Sequence, residues 1–289
     1  MEASELLQRV RRVEIKTRAM TRGALAGQYH SAFKGRGMAF SEVREYHVGD
    51  DVRDIDWNVT ARTGKPHVKM FHEERELIVM LLIDVSPSLD FGTQGRTLSE
   101  LMAEVAATLA VSAMMNGDKV GAIFFSDRIE KYIPPASHRS HILYIIRELL
   151  ASPTAHRRTD VAQALEYLVR VQKRRAVAFL LSDFLCPVDF RRPLSIAARR
   201  HDVAALRLTD VRLKEMPNVG FIKLYDAETG HEQYVDTTHR SVREGQQRWW
   251  KAHSEALRDV FNQCGVDAAE FTTNTDYVPR LMALLAKRG

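Results

Sequence analysis

The sequence predicts an α/β fold: a doubly wound, mostly parallel sheet with an irregular amino-terminal extension and an inserted β-hairpin. Three observations predict it. From Leu77 onward, apolar runs of strand length alternate with longer stretches of helical period. The apolar runs are continuous, as expected of strands covered on both faces. The chain has 289 residues, 45% hydrophobic and 27% charged, enough for a sizeable core, which excludes disordered, collagen-like and mucin-like classes.

Taken in order, residues 3 to 20 place Leu6, Leu7, Val10, Val13 and Met20 near helical spacing among Arg9, Arg11, Arg12 and Arg18. This predicts an amphipathic helix, packed on the body or offered to a partner. Residues 23 to 75 are interrupted by Gly23, Gly27, Gly35, Gly37, Gly49 and Gly64, and no long regular element is expected there. Leu77 to Asp84 reads as a buried strand. Thr97 to Glu100 is a T-x-x-E capping box opening a helix with Leu98, Leu101, Met102, Val105 and Leu109 on one face, and Gly117 stops it. Val120 to Phe125 is the next strand, Ile129 to Ile133 its hairpin partner, and Ser140 to Leu150 a helix. Asp160 to Gln172 is helical, Ala176 to Leu181 a strand, the region of Leu194 to Arg199 a helix and Val203 to Leu208 a strand.

Gly220 to Val235 reads as two strands turning at Glu228-Thr229-Gly230. A long helix over Ser241 to Asn262, a strand over Val266 to Phe271 and a helix over Pro279 to Ala286 complete the chain. The domain reading is therefore a helix and a Gly/Asp/Arg-rich extension over 1–75, then one α/β domain over 76–289 with a hairpin insertion near 219–236. Right-handed crossovers put the loops leaving the parallel strands on one edge, where function is expected.

Charge and cysteine usage limit the partners. Lys and Arg number 42 against 37 Asp and Glu, a net charge of +5, and the two signs alternate along the chain, so no nucleic-acid partner is expected. Leu77 to Ile83 and Val177 to Leu181 are far shorter than the ~20 residues that cross a bilayer, and Glu2 and Glu5 do not fit a signal peptide. No membrane span is expected. Two cysteines, Cys186 and Cys264, are too few for a disulfide framework, which points to a reducing, cytoplasmic location.

The strongest local signal is Asp84-Val85-Ser86-Pro87-Ser88, directly after a strand. In a turn there, residues two apart can face the same way, so a carboxylate and two hydroxyls can converge on one hard cation, Mg²⁺ or Mn²⁺. They lack the thiolates and imidazoles that favour zinc. A Ser-rich turn is the simpler alternative. Thr159-Asp160 and Ser182-Asp183 lie at loops of the same edge and add oxygen donors; a helix N-cap and a solvated turn carboxylate are the simpler roles for them.

The pattern Asp84-x-Ser86-x-Ser88, Thr159 and Asp183 resembles the metal-ion-dependent adhesion site of von Willebrand factor A domains, over about residues 75 to 212 and 266 to 287. The run Gly35-Arg36-Gly37-Met38-Ala39-Phe40-Ser41-Glu42-Val43-Arg44-Glu45-Tyr46, with Gly49 to Trp57 and Thr60-Ala61-Arg62, resembles the signature of the bacterial family catalogued as domain of unknown function fifty-eight, which carries such a domain. The resemblance implies a divalent ion held by Ser86, Ser88 and Thr159 directly and by Asp84 and Asp183 directly or through water. It further implies a protein partner donating an Asp or Glu to the ion, work beside a MoxR-type AAA+ ATPase, and no enzymatic activity. In many relatives glycines precede the Thr of the second loop; here Arg157 and Arg158 do, and an outward orientation would recruit an acidic partner.

Asp50, Asp51, Asp54 and Asp56 are expected to pair with Arg44, Arg53 and Arg62 and fix an irregular segment on the sheet, since they do not follow the EF-hand pattern. Trp57 is expected as a buried anchor. No G-x-x-x-x-G-K-[ST] and no G-x-S-x-G occurs, Cys186 has no arranged His, His138 and His141 are read as surface residues, and Trp249-Trp250 as packing on the sheet. The leading function is thus a metal-dependent protein-interaction module. The rival is a metal-dependent phosphohydrolase with Asp84 as nucleophile, although Ser86 stands where a second acid would be wanted.

Overall fold

The computed structural model of the chain describes residues 13, 16, 17, 27, 29, 32, 38–73, 77–93, 95–151, 158–186, 189–226 and 230–288. Apart from Val13, Lys16 and Thr17, the helix expected over 3 to 20 lies outside the described residues, as do Gly35 to Gly37, Arg157 and the turn residues Glu228 and Thr229.

β1 (Met38–Glu45) pairs antiparallel with β2 (His67–Glu73), and the short helix α1 (Trp57–Thr63) lies between them in sequence. This pair corrects the expectation that residues 23 to 75 hold no long regular element. A register shift between Phe40 and Glu42 marks a bulge, which breaks the two-residue period that would have exposed the strand in the sequence. The charges behave largely as expected. Arg44 forks onto Asp50 at 2.9 and 2.7 Å, Arg53 meets Asp51 at 2.7 Å, and Asp56 caps α1 by accepting from the Asn58 and Val59 amides. Arg62 instead donates to the Asn58 carbonyl. Trp57 is no buried anchor: it is 70% exposed. Its helix is held by the Asp56 cap and by the His67 amide donating to Thr60 Oγ1 at 3.0 Å, so burial of the indole is not needed to seat it.

The rest alternates. β3 (Ile78–Asp84) leads to α2 (Leu98–Met115), β4 (Lys119–Phe125), β5 (Ile129–Ala136), α3 (Arg139–Ala151), α4 (Val161–Val171), β6 (Val177–Ser182), α5 (Arg191–Arg200), β7 (Asp202–Thr209) and α6 (Val211–Lys214). The hairpin β8 (Phe221–Tyr225) and β9 (Glu232–Asp236) follows, then α7 (Arg240–Gln263), β10 (Asp267–Thr272) and α8 (Val278–Arg288). The six-stranded sheet has the order β10-β7-β6-β3-β4-β5, all parallel except the β4–β5 pair. The mostly parallel, doubly wound architecture is the one expected, and the edge strand β5 carries Pro134 and Pro135, which cannot donate to another strand.

Side-chain alternation divides the core between the two faces. Val79, Leu81 and Ile83 pack with α2, α3 and α8, while Met80 and Leu82 pack with α4, α5 and α7. Each such side chain fully removed from water stabilises the fold by about 1.5–3 kcal/mol before entropy is counted. The centre of the first face is α2. Both halves of the Thr97–Glu100 capping box close, and left-handed Gly117 follows its last turn. Among the described residues α2 is the one helix long and apolar enough to cross a membrane, and 72% of it is buried inside the fold. Gly121 in β4 has no room for a side chain, since a Cβ there would meet Met80 Sδ at 2.8 Å and the Ile133 carbonyl at 2.9 Å.

His201, between α5 and β7, is wholly buried and neither ring nitrogen has a hydrogen-bond partner. Burial, then the nearby Arg200 and Arg175, hold its pKa down to about 4 from an ordinary 6.5. Between those two values the unfolded chain takes up a proton that the folded chain refuses, so stability is lost as pH falls through that window. Urea unfolding at pH 7 and 4.5 should show a loss of about 2 kcal/mol from this residue, and His201→Gln should lose correspondingly less over the same interval.

Candidate functional site

Register brings the expected residues to one edge. Ile83 lies opposite Leu181 and Asp84 opposite Phe125, so β3, β4 and β6 end level with one another. Asp84, 1% exposed, accepts from the Ser86 amide at Oδ1 (2.9 Å) and from the Ser182 hydroxyl at Oδ2 (2.6 Å). The chain leaving β3 turns into a short 3-10 helix, Pro87–Asp90, whose geometry sets the Ser86 and Ser88 hydroxyls 3.0 Å apart. Asp183 is 2% exposed. Its Oδ1 accepts from the Leu185 amide at 3.0 Å, and its Oδ2 is sealed from solvent with no hydrogen-bond partner.

The turn that presents Asp183 is strained. Phe184 has φ +57°, in the left-handed region that a bulky side chain avoids. Two contacts hold it there: its amide donates to Ser182 Oγ at 3.0 Å, and its ring packs edge-on to Phe261 at 5.3 Å and beside Phe190 at 5.8 Å. Thr159, 2% exposed, sits on the loop that the Asp160 amide ties to the Ser126 carbonyl at 2.7 Å, one residue beyond the partner of Asp84. Asp160 itself caps α4 through the Gln163 amide, the helix-capping role weighed above. Arg158 is exposed. The structure thus joins Asp84, Ser86 and Ser88 with Asp183 beside them, and fixes Thr159 on the adjoining loop.

Electrostatics at this edge are unfavourable. Burial, and then the Asp183 carboxylate, push the Asp84 pKa up, against the pull of Ser182 and Ser86. Burial also raises Asp183, opposed by the Leu185 amide, the nearby Ser88 hydroxyl, the Arg207 guanidinium and His253. Arg207 and His253 were not among the expected site residues. Arg207 had a signal, a cation within the otherwise apolar run Val203 to Leu208. His253 had none, because α7 reaches the site only through tertiary packing.

Comparison with known proteins places the chain. A model of the family "Protein of unknown function DUF58" matches residues 42–256, and the chain belongs to that family. An uncharacterized protein of Mycobacterium tuberculosis is 33% identical over 283 residues, covering 96% of this chain and 88% of the relative. Among solved structures, an aerotolerance-related membrane protein from Bacteroides fragilis aligns with TM-score 0.49 at 15% identity, over 73% of this chain and 99% of that one. A von Willebrand factor type A protein from Catenulispora acidiphila aligns with TM-score 0.43 at 11% identity, over 77% of this chain and 44% of that one. The fold is the expected α/β class, a six-stranded, mostly parallel sheet with helices on both faces.

The cytoplasmic location expected from the sequence is corrected by the same comparison, because the B. fragilis protein of like fold is described as a membrane protein. The expectation rested on two cysteines and short apolar runs, and neither feature of a folded domain decides where that domain is held.

Two adjacent buried carboxylates repel, and neutralising one relieves the strain while keeping an acceptor for the Ser86 amide. Asp84→Asn should therefore raise the melting temperature of the chain in chelator-treated buffer by roughly 2–4 °C, about 1 kcal/mol, as read by differential scanning calorimetry. An unchanged or lower value would show that the pair is already compensated within the fold.

Proposed function

We propose that the protein is a non-enzymatic, metal-dependent protein-interaction module in which a divalent cation, Mg²⁺ or Mn²⁺, sits among Asp84, Ser86, Ser88, Thr159 and Asp183. The observation that carries this reading is the Asp183 Oδ2 atom, buried without a partner beside a second buried carboxylate. An unpaired buried charge costs several kcal/mol, and a divalent cation is the group that would compensate both acids at once. Among the described residues no cluster of three or more His, Cys, Asp or Glu could hold a metal, so any site here relies on hydroxyls. Hydroxyl and carboxylate oxygens are the donors that hard cations take.

When bound, the ion would supply a positive charge with a position open to an outside ligand. Asp84 and Asp183 would neutralise and fix it, the hydroxyls of Ser86, Ser88 and Thr159 would complete its oxygen shell, and the Ser182 hydroxyl would orient Asp84. A partner's Asp or Glu could then replace a water, and exposed Arg158 beside the second loop favours an acidic partner electrostatically. The family resemblance makes a MoxR-type AAA+ ATPase the partner to try first. The phosphohydrolase reading has less support, since Asp84 is 1% exposed and Ser86 stands where a second acid would serve as general acid/base.

Calorimetric titration of the full chain with MgCl₂ and MnCl₂ should give one saturable site, absent in Asp84→Ala and Asp183→Ala. Equal binding by wild type and either variant would remove these carboxylates from the site. Assayed with generic phosphoesters and Mg²⁺, the protein should show no turnover; activity abolished by Asp84→Asn would favour the enzyme instead.

A further inference from the structure

A cleft of about 540 Å³ lies between α7 and the outer strand β10. Arg207 lines it from β7, Ser254 and Arg258 from α7, Glu270 from β10 and Lys287 from α8. Arg207 is 5% exposed and lies over the Trp250 ring at 4.3 Å. Nη1 donates to Ser254 Oγ at 2.9 Å and makes a long contact of 3.5 Å with Glu270 Oε2. Nε and Nη2 have no acceptor at all. Those two nitrogens form the side-on fork of a guanidinium, the face that takes both oxygens of a carboxylate or a phosphate.

The surrounding charges leave this fork uncompensated. Glu270 is engaged by Lys214, and Asp267 by Lys287 at 2.7 Å and Arg288 at 3.1 Å. Arg258 is exposed at the mouth of the cleft and enters none of the ion pairs formed among the described residues. Asp183 faces Arg207 electrostatically without closing a hydrogen bond to Nε or Nη2. A buried charged donor left without an acceptor is costly, so a guanidinium with two idle nitrogens beside a cavity is unusual in a structure serving stability alone.

We propose that the α7–β10 cleft binds an oxyanion, a carboxylate or phosphate group, with Arg207 as its anchor and Arg258 at its entrance. To engage it, Arg207 rotates its fork toward the cavity and gives up the long Glu270 contact, while Glu270 keeps Lys214. The site does not depend on the metal reading, and the test is run in chelator so that the two stand or fall separately.

The probes are inorganic phosphate and succinate, added at about 10 mM to the full chain at constant ionic strength against sodium chloride, with thermal shift and calorimetry as readouts. Wild type should melt higher with at least one probe. Arg258→Glu, a surface change that leaves the core intact, should weaken that binding about tenfold or more, and Arg207→Lys, which keeps the charge and loses the fork, should do the same. Phosphate acting alone would assign a phosphorylated ligand, succinate alone a carboxylate ligand, and both a site for either oxyanion. If neither probe shifts wild type relative to chloride, or if Arg258→Glu binds as wild type does, the proposal is overturned, whether or not Arg207→Lys folds.

Discussion

Asp84 and Asp183 stand at the ends of neighbouring strands, both out of contact with water and close enough for Asp183 to raise the proton affinity of Asp84. Much of the surrounding architecture exists to keep them there. Parallel pairing levels β3 with β6, the Ser182 hydroxyl donates to Asp84 while accepting from the Phe184 amide, and the left-handed turn at Phe184 stops the chain from swinging Asp183 into solvent. A free loop carrying the same residues would rotate its carboxylates outward and hydrate them. The sheet prevents this because moving either strand end would break a ladder of buried hydrogen bonds.

The same constraint explains why three aromatic rings lie beneath the third loop. Phe184 pays for its backbone conformation through packing against Phe190 and Phe261, which come from the start of α5 and the end of α7. An opposite anchor holds the first loop. Buried Asp210 accepts from the Thr93 amide and hydroxyl and from the Thr273 hydroxyl, while Arg96 donates to the carbonyls of Thr272, Thr273 and Thr275. The loop after β3 is thereby tied to the end of β10, and the edge is framed on both sides by interactions distant in sequence.

How much of this was legible follows from those distances. β3, β4, β6 and β7 are readable because strands buried on both faces need uninterrupted apolar side chains, and the Thr97–Glu100 box announces α2 because capping is a local chemistry. Asp84, Ser86 and Ser88 are legible for the same reason: a strand and the turn that follows it are contiguous. The β1–β2 pair escaped because its bulge breaks the period, and Trp57 was misjudged because size suggests burial while the Asp56 cap makes burial unnecessary. The Phe184 turn and the approach of His253 to Asp183 are not legible, since each depends on α7 crossing a face of the sheet far along the chain from its contacts, whereas Arg207 reaches Asp183 through the pairing of β7 with β6, which sets it opposite Ser182.

That crossing makes α7 the element through which the remote parts of the molecule meet. Its first turn is fastened to the hairpin: Arg243 donates to the carbonyls of Thr237 and Thr238, and Thr237 Oγ1 closes the base of β8 and β9 onto the Gly220 carbonyl at 2.7 Å. Its middle covers Arg207 with Trp250 and holds it with Ser254, and its last turns carry Phe261 under the Asp183 loop. A displacement of the helix along its axis would therefore be felt at the hairpin, the cleft and the carboxyl edge together. Half-exposed Trp249 stacks 5.3 Å from His253, so a solvent-facing part of this helix is one ring away from the imidazole that faces Asp183 electrostatically. Rigid packing over that short path, and not a chain of flexible loops, is what would carry a change at one surface to the other.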